Sequence, residues 1–364
     1  MIIKQFQTLR KSAILYAFLF LLFSACSKNN APGNKEEGKP LPTQPVQFNN
    51  PVFEPVLADP SIIKAADGWF YGYGTEDNWG DGQGNRLVPV IRSLDLIKWT
   101  VIGNAFTTKP HWKTDGGIWA PDVVFIDNKY YLYYSYSVWG DTNPGIGVAV
   151  ANSPAGPFVD KGKLFLSNEA GVPNTIDPFY LAEADKKYLF FGSYSTASNQ
   201  GTYAVELADD GFSVKNLANK VKIAAGDFEA VMIHKRNNYY YFFGSKGSCC
   251  SGSASTYQVR VARSTSLLGP YLDKDGGNIA ERGNGTLLIS GSDKYAGPGH
   301  NSRIMTDKSG ADWLLYHAIL KSNPIVPGGA SRRTLMLDKI NWINDWPVIE
   351  NQIPGDILRK GPEF

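Results

Sequence analysis

Cysteine is scarce in this 364-residue chain: there are three, Cys26, Cys249 and Cys250. Neither a disulfide framework nor a Cys-based metal site can be built from that spacing. Charge of one sign is also lacking. The formal net charge is +2, and it falls close to neutrality if Lys4, Arg10 and Lys11 leave with a signal. A near-neutral chain has no electrostatic footprint for a phosphate backbone, so no nucleic-acid partner is expected. No Walker or Rossmann glycine pattern lies between a strand and a helix, which removes the usual nucleotide sites. Amphipathic helices longer than two turns are missing, and the 37 glycines and 22 prolines fall where turns are needed. One apolar run stands out, 13–23, too short and one-sided for a membrane span.

That run follows Lys4, Arg10 and Lys11, so the start reads as an export signal. It ends in Phe23-Ser24-Ala25-Cys26, which resembles a bacterial lipobox with Cys26 as the lipidated residue; cleavage near Ala25 without lipid is the alternative. Residues 27–47 are rich in Pro, Asn, Gly and Lys and cannot bury enough apolar area to offset their ordering entropy. The expected organisation is a signal over 1–25, Cys26 and a flexible tether over 26–50, and one folded domain over 51–364. The expected location is the cell envelope, with membrane contact only through a lipid at Cys26. The protein is expected to be a monomer.

Aromatic residues make up 13% of the chain, and many fall in five recurring runs. These are Trp69-Phe70-Tyr71, Tyr130-Tyr131-Leu132, Tyr188-Leu189-Phe190, Tyr239-Tyr240-Tyr241 and Trp313-Leu314-Leu315. About ten residues before each run stands a polar leader: Asp59, Asp122, Asp177, Glu229 or His300. The spacing is that of a four-stranded propeller blade with loops. Hairpins are expected at Ala66-Asp67-Gly68, Asp127-Asn128 and Arg236-Asn237-Asn238, with a third strand at 87–92, 147–151, 203–207 and 257–263. A β-sandwich also has short, evenly spaced strands, but it has no reason to place a polar leader before each aromatic run. The fold class predicted is all-β, a five-bladed β-propeller with its active site in the central channel.

Leaders from different blades face one another across such a channel. Hydrolysis of a glycosidic bond with inversion needs two opposed carboxyls, one ionised to activate water and one protonated to serve the leaving oxygen. Asp59, beside Pro60 and Ser61, suits the ionised base. Glu229 is flanked by Phe228 and Val231, so desolvation should raise its pKa as an acid requires. Asp177 between them would hold the proton on Glu229. Asp122 should hydrogen-bond backbone at the channel mouth and, with Trp119 and Trp79, is placed among the substrate-contacting residues. Trp119 serves either as a sugar-stacking floor or as blade packing. His300 serves a metal, water or structure, whereas His234 and His317 read as core or edge residues. Trp112 and Trp139 are further loop aromatics, serving either as sugar platforms or as caps on the propeller face. The stretch Asp77-x-Trp79-x-Asp81-Gly82 fails as a calcium loop, since Val88 stands where Glu is needed. Cys249 and Cys250 are either a vicinal bridge or two packed thiols.

At these residues the chain resembles glycoside hydrolase family 43, the five-bladed arabinanases and xylosidases, over 57–348. The endo-1,5-α-L-arabinanase branch fits best. The resemblance is carried by Trp119-Ala120-Pro121-Asp122, by Cys249-Cys250-Ser251-Gly252 with Ser255-Thr256-Tyr257, by Gly297-Pro298-Gly299-His300-Asn301 and by Leu337-Asp338-Lys339-Ile340. It implies an inverting arabinan hydrolase with Asp59 as base, Glu229 as acid and Asp177 as pKa modulator. It implies no organic cofactor, and one Ca2+ near the axis held mainly by water with His300. The branch usually has His before the base and Pro after Glu-Ala; Ala58 and Val231 stand there. Rival readings are an exo-acting α-L-arabinofuranosidase or β-xylosidase, and a non-catalytic glycan-binding propeller.

Overall fold

The middle strand of each repeat is an apolar run rather than an alternating one because it is buried on both faces. Lys129–Ser137 is buried at every position after the first. Such strands need a sheet neighbour on each edge and another sheet on each side, which a ring of face-packed blades supplies. The computed structural model describes residues 46–192, 194 and 200–364. Signal, lipidation at Cys26 and most of the tether lie outside the described residues.

Five antiparallel sheets follow one another in chain order. Blade 1 is built from Ser61–Lys64, Phe70–Tyr73, Pro89–Ser93 and Thr100–Asn104. Blade 2 is Gly117–Ile126, Lys129–Ser137, Gly145–Ala151 and Val159–Leu166. Phe179–Glu183, Lys186–Gly192, Gly201–Glu206 and Val221–Ala225 form blade 3. Glu229–Arg236, Tyr239–Lys246, Gln258–Ser264 and Thr286–Ile289 form blade 4. Blade 5 orders Tyr295–Gly299, Asp312–Leu320, Arg333–Ile343 and Trp346–Val348. Among the described residues the one α-helix is Ser167–Ala170, a single turn.

The ring is closed by the residues before blade 1. Gln47–Phe48 pairs with Arg359–Lys360. Val52 N–H donates to Leu335 O and Leu57 N–H to Arg333 O, both at 2.9 Å, which docks this segment on blade 5. Asn50 is buried and donates to Asp338 Oδ2 at 3.0 Å. The last residues of the expected tether, 47–50, therefore belong to the fold.

A second ring lies at the inner ends of the blades. Asp59, Ala120, Asp177, Ala230 and His300 all have positive φ, between 45° and 56°. Non-glycine residues adopt that conformation at a cost of about 1–3 kcal/mol, so each needs support. In every case the backbone N–H is held by a side chain of the preceding blade. Ala120 N–H donates to Thr75 Oγ1 at 2.8 Å and Asp177 N–H to Ser135 Oγ at 2.8 Å. Ala230 N–H donates to Asp177 Oδ2 and His300 N–H to Ser245 Oγ, both at 2.9 Å. The circle closes from blade 5 to blade 1, where Asp59 N–H donates to His317 Nδ1 at 3.1 Å.

Candidate active site

This ring decides which leaders reach the axis. Asp59, Asp177 and His300 occupy equivalent ring positions. Glu229 stands one residue before its ring position, Ala230, and Asp122 two residues after its own, Ala120. The five leaders are thus not strictly equivalent, contrary to the repeat reading. Asp59, Asp177, Glu229 and His300 nonetheless line one cavity of about 630 Å³.

Asp59 is held from three sides. Arg333 Nη1 lies 2.8 Å from Oδ1 and 3.0 Å from Oδ2. Thr75 Oγ1 donates to Oδ2 at 2.5 Å, and His300 Nδ1 lies 3.3 Å from Oδ1. Burial alone would raise its pKa. The Arg333 guanidinium, then His300 and His317, outweigh burial and hold the carboxyl well below the ordinary range. His300 shows the reciprocal effect: burial pulls it down, but Asp59 and then the other acids raise it. His317 is fully buried and kept neutral by that burial.

Glu229 sits in the opposite environment. Phe228 beside it is 0% exposed and Val231 5%. Burial, then the charge of Asp177, pushes Glu229 up to about 8, against the opposing hydrogen bond from Tyr257 Oη to Oε1 at 2.7 Å. Asp177 is itself raised to about 6, first by burial. The cavity thus holds one carboxyl biased toward ionisation, Asp59, and one biased toward its protonated form, Glu229.

Trp119 lines the cavity and tilts against Trp139, with ring centroids 5.6 Å apart. Trp139 is 78% exposed and forms the rim. Cys249 and Cys250 are joined as a vicinal disulfide and line the same wall, which settles the choice between bridge and thiols.

Two expected substrate contacts lie elsewhere. Trp79 is a core residue at 5% exposure, packed on Phe53 and capped by the Arg86 guanidinium 4.1 Å from the ring. Its loop is drawn inward because Phe53 and Val326 offer apolar surface there. Asp122 is buried outside the catalytic cavity and accepts from Tyr180 N–H and Arg303 Nη2, each at 2.7 Å. It repeats for blade 3 what Ser61 does for blade 2, where Val123 N–H donates to Ser61 Oγ at 3.0 Å. Trp112 donates to Tyr134 Oη at 2.9 Å and packs in the blade.

Sequence reading missed Arg333, His317, Tyr257, Thr75 and the cavity-lining Asp77, which burial raises to about 6. A hydroxyl just after the aromatic run, at Thr75, Ser135 and Ser245, was a readable signal. Arg333 carried none, being one of two adjacent arginines at the start of a blade 5 strand.

The described residues contain no group of three or more metal-ligating side chains. A lone imidazole is a poor anchor for a hard cation. The donor set therefore does not build a protein cage for calcium.

A five-bladed propeller with a depressed and a raised carboxyl lining one cavity has the paired groups that glycosidic cleavage requires. Residues 48–347 match the glycosyl hydrolases family 43, and the chain belongs to that family. The extracellular endo-alpha-(1->5)-L-arabinanase 1 of Bacillus subtilis is 33% identical over 306 residues, 80% of this chain and 87% of that protein. The extracellular exo-alpha-(1->5)-L-arabinofuranosidase ArbA of Cellvibrio japonicus is 30% identical over 322 residues, 81% and 86% respectively. The alpha-L-arabinanase of Cellvibrio cellulosa, solved with arabinohexaose, superposes with a TM-score of 0.70 at 29% identity, covering 82% of this chain and 96% of that one.

Proposed function

We propose that this protein hydrolyses α-1,5-linked L-arabinofuranosyl bonds in arabinan with inversion of configuration. Asp59 takes a proton from the attacking water, Glu229 protonates the departing oxygen, and Asp177 keeps Glu229 protonated and oriented. The observation that carries this reading is the split environment of two carboxyls in one cavity: Arg333 beside Asp59, apolar burial and Asp177 beside Glu229. The arabinan-active relatives support the choice of sugar. Trp119 and Trp139 supply the stacking surface. Any calcium ion would rest on His300 and water, supplying positive charge near the axis.

Incubation with linear arabinan is the test. Wild-type protein should release reducing ends as mixed oligosaccharides, with the new anomeric centre inverted by NMR. Glu229→Gln should abolish release while leaving binding intact; a near wild-type rate would remove Glu229 from the acid's role. The exo reading has its own observation: the 75–86 loop, whose first residues line the cavity, is backed by 327–328, where a side chain on Gly80 would meet Pro327 and one on Gly328 would meet Asn78. Monomer as sole product would establish it. We also propose that the chain is exported as a monomeric lipoprotein anchored through Cys26, on the basic, apolar and Cys-ended start of the sequence. Mass spectrometry of the mature N-terminus tests the anchor.

A further inference from the structure

His317 and Tyr257 join the two halves of the site. His317 lies inside Asp312–Leu320 and is 0% exposed; Tyr257 is 1% exposed. His317 Nδ1 accepts the Asp59 backbone N–H at 3.1 Å. Tyr257 Oη donates to Glu229 Oε1 at 2.7 Å. Between these two bonds the rings stack, with centroids 5.7 Å apart and planes 10° from parallel. One continuous path thus runs from the Asp59 backbone through two buried rings to the Glu229 carboxyl. The neighbouring strand makes room for it: a Cβ on Gly299 would collide with Tyr257 Cδ1, so the second glycine of Gly297-Pro298-Gly299-His300 is required by the ring.

We propose that the His317–Tyr257 stack is a positioning unit of the hydrolytic reaction: it fixes the spacing of Asp59 and Glu229 and directs the acid's proton to Oε2. The inference rests on the acid and base roles proposed above. Tyr257 holds its own proton across the working range, because burial and then Glu229 raise it well above the ordinary phenol. Its single O–H engages Oε1, so a proton on the carboxyl occupies Oε2. In the reaction that proton passes to the glycosidic oxygen as the C–O bond breaks. Water bonds to the anomeric carbon and yields a proton to Asp59. Neither ring gains or loses a proton, so both are positioning residues rather than catalytic ones.

The test compares two substrates of the full-length protein: linear arabinan, whose leaving oxygen needs a proton, and an arabino-oligosaccharide with a 4-nitrophenyl leaving group, which does not. Tyr257→Phe keeps the stack and removes the hydroxyl. Its kcat/KM on arabinan should fall roughly 10- to 100-fold, part of what a general acid supplies, while the nitrophenyl substrate loses less than about threefold. The basic limb of the pH profile should move up, since a donor to the carboxylate has gone; Asp177, His300 and Asp59 still face Glu229 in this variant. His317→Phe keeps a ring and loses the acceptor, so both substrates should suffer alike. The double variant should lose less than the product of the two singles. Equal loss on both substrates by Tyr257→Phe with an unmoved basic limb overturns the proposal, and so does a strictly multiplicative double variant. If His317→Phe fails to fold, His317→Asn restores an acceptor, and the Tyr257 comparison decides alone. Retention of wild-type rate by Glu229→Gln would instead overturn the acid assignment, a distinguishable failure.

Discussion

Replacing Arg333 with Met removes the largest positive influence on Asp59 while keeping much of the side chain's volume. The pair is close and largely shielded: Nη1 to Oδ1 is 2.8 Å, and both side chains are 12% exposed. An opposite charge at that range lowers an Asp pKa by about 1–3 units. Without it burial is opposed only by His300 and His317, so the Asp59 pKa should climb by about that amount. In kcat/KM for linear arabinan, the acid limb should therefore move up by about 1–3 pH units, and the rate at a fixed acidic pH should fall about tenfold per unit. The basic limb, set by Glu229, should stay. Stability carries a second signature. Removing one partner of a buried pair costs about 3–5 kcal/mol. In the wild type a depressed Asp59 contributes stability above its unfolded pKa of about 3.9, and that contribution is lost as pH falls through the folded value. In Arg333→Met the folded pKa moves up toward the unfolded one, so the stability gap between the two proteins is full at neutral pH and closes as pH falls through the two folded values. Thermal unfolding at pH 7 and pH 3 should show the gap between the two proteins narrowing at the lower pH, and Asp59→Asn added to Arg333→Met should restore much of the melting temperature at pH 7. An acid limb that does not move, or a rate lost equally at every pH, would refute the assignment of Arg333 as the group that keeps Asp59 ionised.

Asp177→Asn removes a charge that raises Glu229 yet keeps an oxygen for the Ala230 N–H, so the basic limb should move down with little unfolding. Asp177→Ala loses that acceptor as well, and denaturant titration should find it less stable than the Asn variant by about 1–3 kcal/mol. Trp139→Ala should raise KM for long arabinan by about three- to tenfold, the size of a lost aromatic contact. Its melting temperature should hold, because the side chain is 78% exposed. Trp79→Ala should do the reverse, costing about 3–5 kcal/mol of stability in a chemical melt with the early rate per folded molecule little changed.

The middle strands were legible because they are buried on both sides, which forces runs such as Tyr130-Tyr131-Leu132. The outer strands were not. Thr100–Asn104 is largely exposed, and Val159–Leu166 mixes lysine with aliphatic residues around a glycine. At the rim of a blade, backbone pairing holds the strand and leaves side chains unconstrained. The same logic sorts the site. Asp59 and Glu229 could be found because their immediate neighbours, Pro60 and Phe228, describe their surroundings. Arg333 reaches Asp59 from 274 positions away in the chain, a distance that local pattern does not encode. Trp79 was misread since an aromatic in a polar loop looks the same whether it turns toward sugar or toward Phe53.

The side-chain-to-backbone links around the axis anchor each blade where the reacting groups stand, and nowhere near the outer loops. Evolution can therefore lengthen, shorten or recompose the rim, changing which polymer is gripped and how far along it the cut falls, while the hub keeps its dimensions. Relatives that share this hub can diverge between nibbling chain ends and cutting chain interiors without redesigning the chemistry.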